Sequence, residues 1–338
     1  MLYKKKETGP PILIMIIFWI LIWVVYMLFL VFVGETIECD DELKMHNITY
    51  EKSYIDKILK HDRDNIKVLP HAMKEIIFFK DTDVKTEKSV VYLHGWQGSK
   101  SEAYSIITQY AKNISANVYF NRYPGNGQIN VETAHDDISI YDYLRETYEA
   151  YSIGKYLGNR VIICCSSTGC LYAFWLLRYL LKNETNHAID QIICMSPNFK
   201  IERIPDFFMY TIMSMPIGKR ILNGLHNKIK IDKFVIYKNS LFALISIMNI
   251  IHKKEIDLDN IPIIIFSCKN DPLISHVAVL NFYQKHSENY KQVIHMHQCM
   301  ESEKIHPIQQ HKKYIDDYMI KEMTAFNSRE QMRKFVSF

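Results

Sequence analysis

Between residues 75 and 323 the chain alternates short, continuously apolar runs with longer stretches of helical period, and few folds accommodate that order. The runs are Glu75–Phe79, Ser89–Leu93, Ala116–Phe120, Arg160–Cys165, Asp190–Met195, Ile261–Phe266 and Tyr290–Met296. Helical patterns fall at 101–112, 135–157, 168–182, 276–287 and 308–323. A strand that is apolar throughout has both faces covered, as in a parallel sheet flanked by helices. Right-handed crossovers then predict an α/β, doubly wound, mostly parallel sheet over residues 71–338. One segment, about 198–258, breaks the rhythm and is too long for a simple loop. It interleaves Phe207, Phe208, Met209, Tyr210, Met213 and Phe242 with Lys219, Arg220 and Lys228. A helical cap over an active site is the expected reading, with an extra layer of core as the other.

The N-terminus carries a different signal. Residues 12–33 hold no charge over about 22 positions, enough to cross a ~30 Å hydrocarbon layer as one helix. Lys4, Lys5 and Lys6 precede this run, and Glu35, Glu38, Asp40, Asp41 and Glu42 follow it. A basic flank stays cytoplasmic. The expected layout is a cytoplasmic tail at 1–11, a single-pass signal-anchor helix at 12–33, a stalk at 34–70 and an extracytoplasmic domain beyond. A cleaved signal peptide is the competing reading. Its apolar core normally runs to about 15 residues or fewer and ends at small residues, whereas this one meets Gly34-Glu35-Thr36.

Composition excludes several classes. A net charge of +4 over 338 residues, without a basic stripe, gives no footprint for nucleic acid. No Cys/His spacing points to a metal, and none is expected. The seven cysteines cannot all pair within the chain. Cys164, Cys165, Cys170 and Cys194 lie in apolar runs and read as core. Cys39, Cys268 and Cys299 fall nearer polar sequence, and a bridge between Cys268 and Cys299 is left open.

The chemistry gathers at strand ends. Cys165-Ser166-Ser167-Thr168-Gly169 leaves a strand and opens a helix, the setting of a nucleophile elbow, although Cys165 stands where the first glycine usually does. Ser167 is the candidate nucleophile, and Gly169 lets the helix pack close. Leu93-His94-Gly95-Trp96 ends an earlier strand, where glycine lets the chain turn backbone N–H groups inward. The N–H groups of Trp96 and Thr168 are the candidate oxyanion donors, with His94 and Gly95 supporting the loop. Asp271 follows the strand after the cap, and His306 lies between the last strand and the final helix. A serine hydroxyl needs a base and an orienting carboxylate, so Ser167, His306 and Asp271 form the candidate triad. Phe207, Phe208 and Met213 are candidate substrate contacts in the cap.

These pieces resemble the α/β-hydrolase superfamily, and within it the lysophospholipase and monoacylglycerol-lipase-like group, catalogued with serine aminopeptidases. The matching residues are His94-Gly95, Tyr123-Pro124-Gly125-Asn126-Gly127, Ser167-Thr168-Gly169, and Asp271-Pro272-Leu273-Ile274 followed by His306. The resemblance covers about 75–325 and implies hydrolysis of carboxylic esters through an acyl-enzyme, with no cofactor. With the anchor and the Met- and aromatic-rich cap, the expected substrate is a small-molecule or lipid acyl ester such as a monoacylglycerol or lysophospholipid. A serine peptidase, a thioesterase or an acyltransferase of the same fold is the alternative. A non-catalytic, membrane-anchored binding scaffold is the alternative of another class.

Overall fold

The computed structural model describes residues 12–32, 45, 50–64, 67–80, 83–128, 134–184, 186–213, 215–224, 228–231, 234–254, 256–258, 261–287, 294–299 and 313–336. The central sheet contains β1 (Glu75–Ile77), β2 (Thr86–Leu93), β3 (Asn117–Phe120), β4 (Gly158–Ser166), β5 (Ile189–Met195), β8 (Ile263–Cys268) and β9 (Ile294–Cys299). A separate antiparallel pair consists of β6 (Lys228–Ile231) and β7 (Phe234–Tyr237). The sheet order is β1-β3-β2-β4-β5-β8-β9, and every pairing is parallel except β1 with β3. The expected mostly parallel sheet is present, with the antiparallel strand at one edge. Residues 161–166 of β4 are buried on both faces, which is why they read as unbroken apolar sequence.

Helices cover both faces. They are α1 (Ile12–Phe32), α2 (Lys52–Asp64), α3 (Tyr104–Asn113), α4 (Ile140–Leu157), α5 (Thr168–Asn183), α6 (Pro216–Asn223), α7 (Lys238–Lys253), α8 (His276–Ser287) and α9 (Lys313–Val336). One apolar layer joins α4, α5 and α7 to the sheet through Leu144, Trp175 and Ile247. The opposite layer packs α3 and α9 through Ile106, Tyr110 and Met323. The stretch read as a stalk contains α2, which is docked: Asp62 is buried and pairs with Arg122. Lys74 is likewise held between Glu146 at 2.8 Å and Glu149 at 2.9 Å.

The 198–258 segment divides in two. Its second half, α7, packs on α4 and α5 and buries Ala243, Leu244, Ile247 and Ile250, so it is part of the core layer. The excursion is the remainder, with a π-helix at Phe207–Ile212, then α6 and the β6–β7 hairpin. Helix α1 has no charged residue over its 21 positions, and its ends were expected at 12 and 33. Among the described residues no helix is long and apolar enough to cross a membrane. Within α1 the side chains of Trp19, Trp23 and Phe29 are exposed, and the helix lies beside α6.

Candidate active site

Strand β4 ends at Ser166 and α5 begins at Thr168, leaving one residue to make the turn. Ser167 makes it with φ 47° and ψ −118°, a conformation rarely adopted by side-chain-bearing residues and costing on the order of 1–3 kcal/mol. The surroundings hold it there. The Ser167 N–H donates to the Met195 carbonyl at 2.9 Å, and its own carbonyl accepts from the Asn198 N–H at 3.1 Å. Asn198 also donates through Nδ2 to Thr168 Oγ1 at 3.1 Å. As the first residue of α5, Thr168 has an N–H with no partner inside the helix.

The loop after β2 abuts this turn. A side-chain carbon on Gly95 would lie 3.2 Å from Ser167 Cβ, so the two segments touch. His94 is fully buried and uses both ring nitrogens. Nε2 accepts from the Tyr123 N–H at 3.1 Å, so Nδ1 carries the proton and donates to the Gly95 carbonyl at 2.8 Å. Burial pushes its pKa below the usual histidine range. His94 is therefore a neutral strut between this loop and the Tyr123-Pro124-Gly125 turn. The Trp96 indole donates to Ser240 Oγ at 2.7 Å, fastening the loop to the start of α7.

Asp271 lies at the end of β8, two strands from β4 in the sheet. Its Oδ1 accepts from the N–H groups of Leu273 at 2.9 Å and Ile274 at 3.0 Å, so the carboxylate is buried in a self-capped turn. His306 lies outside the described residues. His276, the first residue of α8, shares a hydrogen bond between Nδ1 and Ser267 Oγ of β8 at 2.9 Å. Phe207 and Phe208 are exposed on the π-helix, whereas Met213 is buried.

The sequence singles out neither Glu102 nor Tyr92, nor the bonds that join them to Ser166. Ser166, Glu102 and Tyr92 form a hydrogen-bonded group behind the elbow. The only sequence signal is a polar side chain in an otherwise apolar strand, and that signal does not name a partner 64 positions away. Cys165, Cys170 and Cys194 have their sulfurs within 4.8 Å of one another in the core, where burial pushes the thiols of Cys165 and Cys170 up. Cys268 is disulfide-bonded, and Cys299 is its register neighbour on β9. A groove of about 900 Å³ lies between α5, α7 and α8, floored by Phe199, Met248 and Phe282 and edged by Lys200, Lys253 and Lys285.

Buried imidazoles, His94 and His135 among them, set a pH dependence. Burial depresses His94 and lowers His135, whose ring stacks on Tyr237 at 4.5 Å, to about 4. Both are near 6.5 in an unfolded chain. Their depressed folded values contribute stability that is complete above about pH 6.5 and is lost as pH falls, in the case of His135 toward about 4. Thermal unfolding midpoints should therefore drop from pH 7 to pH 5, with a shallower slope in His135→Phe. Equal slopes for the two proteins would show that His135 does not carry this dependence.

No protein-family model matches the chain, and no curated protein sequence matches it. Solved structures do. One is from the work on the metagenome-derived lipolytic enzymes LipS and LipT, at 13% identity and TM-score 0.54, covering 76% of this chain and 99% of that one. A soluble variant of monoglyceride lipase from Saccharomyces cerevisiae, in complex with a substrate analogue, superposes at 10% identity and TM-score 0.53, covering 76% and 91%. Est1E from Butyrivibrio proteoclasticus with bound ferulic acid follows at 12% identity and TM-score 0.51, covering 75% and 95%. At these identities the likeness establishes a shared fold.

Proposed function

We propose that this chain, which has the α/β-hydrolase fold, is a membrane-anchored serine hydrolase that cleaves lipid acyl esters. The observation that carries the reading is Ser167, strained at φ 47° between β4 and α5 and set against the Gly95 loop. Such strain persists only where surrounding contacts enforce it, and here it lifts one hydroxyl out of a strand end.

The reaction follows from the roles. Ser167 Oγ attacks the ester carbonyl as His306 takes its proton, and Asp271 steadies the imidazolium. The N–H groups of Trp96 and Thr168 receive the oxyanion. Collapse breaks the ester C–O bond, and the departing alkoxide takes the proton from His306. Water then attacks the acyl-enzyme by the same route, releasing the carboxylic acid and restoring Ser167.

The lipid and membrane parts rest on separate features. The membrane part rests on the sequence, which carries no charge over residues 12–33. Phe207 and Phe208 stand exposed in an excursion whose α6 touches α1. One of the proteins that shares the fold is a monoglyceride lipase. The extracytoplasmic placement is supported by Lys4, Lys5 and Lys6 before the helix and by the disulfide at Cys268, since disulfides persist in oxidising compartments.

The test is a panel of ester, thioester and aminoacyl substrates against wild type and Ser167→Ala. Esters should be turned over, with Ser167→Ala inert. Preference for thioesters or aminoacyl amides would select the other acyl-enzyme chemistries, and an inert wild type would favour a binding scaffold. Within the esters, Phe207→Ala with Phe208→Ala should impair long acyl chains more than acetyl. Each methylene buried is worth about 0.8 kcal/mol, so the gap should widen with length. Equal losses at every length would remove the two phenylalanines from the substrate site.

A further inference from the structure

We infer that Glu102 is a positioning residue that locks the oxyanion loop to the nucleophile elbow, an inference that rests on the serine-hydrolase reading above. Glu102 ends a short 3-10 turn, Lys100–Glu102, that leads into α3. Its Oε2 accepts from the Gly95 N–H at 3.1 Å and from Ser166 Oγ at 2.8 Å. The Tyr92 hydroxyl stands 2.9 Å from Ser166 Oγ and 3.2 Å from the same carboxylate oxygen. Its single proton serves one of them at a time. One carboxylate oxygen therefore ties together three segments: the end of β2, the loop after it, and the residue immediately before the nucleophile.

The placement matters because the two halves of the proposed oxyanion hole come from different segments. Trp96 belongs to the loop and Thr168 to the elbow, and no sequence-local bond spaces them. Glu102 holds the peptide just before the Gly95–Trp96 peptide and the side chain just before Ser167. A hydrogen bond to an ionised acceptor is about twice as strong as a neutral one. Space reinforces the lock. A side-chain carbon on Gly98 would lie 1.6 Å from Glu102 Oε1, so any larger residue there drives the carboxylate away. Glu102 is not expected to touch substrate; it fixes the separation of groups that do.

A merely structural carboxylate would affect melting and leave transition-state binding alone, which decides the experiment. The full chain in detergent is measured as wild type, Glu102→Ala, Glu102→Gln and Gly98→Ala. The readouts are kcat and KM on a short ester, the rate of labelling by a fluorophosphonate, affinity for a trifluoromethyl ketone and the melting temperature. A trifluoromethyl ketone forms a tetrahedral adduct with the serine, so its affinity reports on the oxyanion hole.

Glu102→Ala should lower kcat and the labelling rate about 10- to 100-fold, as expected when reacting groups are misplaced by up to about 1 Å. KM should change less than about twofold, and ketone affinity should fall in step with kcat/KM. Glu102→Gln should recover part of the loss, because its amide oxygen still accepts from the Gly95 N–H. Gly98→Ala keeps the carboxylate but displaces it, and should lose rate in the same direction. It decides the matter if Glu102→Ala does not fold. Wild-type labelling rates and ketone affinity in folded Glu102→Ala or Gly98→Ala would overturn the inference, as would equal losses in Gln and Ala or a loss confined to KM. A wild type inert to the fluorophosphonate sinks the hydrolase reading and this inference together. A reactive wild type with unaffected variants sinks only the latter.

Discussion

Ser167→Ala is expected to lower ester turnover by on the order of 10³-fold or more, the largest effect of any single change in the chain. The strained turn leaves Ser167 only half-buried, whereas Ser166 beside it is fully buried and bonded to Glu102. His306→Ala should cost a similar factor, and Asp271→Asn as much or somewhat less. The three losses should not multiply, because without the nucleophile its base and its orienting carboxylate have nothing left to activate. The measurement is steady-state turnover on a soluble ester, with mass-spectrometric mapping of a fluorophosphonate adduct. An adduct on another serine, or normal turnover in pure Ser167→Ala, would end the assignment.

Gly169→Ala is expected to be the most damaging conservative change that leaves every reacting group in place. A methyl group there would lie 2.2 Å from the Leu93 carbonyl oxygen and 2.7 Å from that of His94. Both are backbone atoms at the end of β2, so no rotamer change relieves the clash, and α5 must move away from the sheet. Overpacking of this kind costs about 1–3 kcal/mol. The shift acts where the proposed oxyanion donors, the N–H groups of Trp96 and Thr168, would converge, so turnover should fall about 10- to 100-fold in the protein that remains folded. Thermal unfolding and kcat measured on one preparation test this. Wild-type stability together with wild-type kcat would mean that the elbow packs less tightly than its geometry implies.

Much of the fold was legible because its strands are covered on both faces. Each must then be apolar at every position, and runs such as Val161-Ile162-Ile163-Cys164 stand out without alternation. The apolar pattern puts the last strand at 290–296, whereas it forms at 294–299, because its polar residues blur where the apolar run stops. The cap was legible as an interruption, but α7 was included in it. An apolar helix over a site and an apolar helix over a sheet carry the same periodicity. Likewise α2 reads as a polar stretch, since what docks it is Asp62 meeting Arg122, 60 residues later.

The sequence by itself determined the order of strands and helices and the chemistry offered at the strand ends. Apolar period and glycine placement are local, and Ser167-Thr168-Gly169, His94-Gly95 and Asp271-Pro272 each announce a turn after a strand. The tertiary structure alone decided which of those turns meet. Parallel pairing of β2 with β4 sets Leu93 beside Cys165 and so brings Gly95 against Ser167. It also decided that the polar residues behind the elbow share one carboxylate. Hydrogen bonds between residues 64 and 74 positions apart exist only once the sheet has brought their strands and loops together, and no local pattern records them.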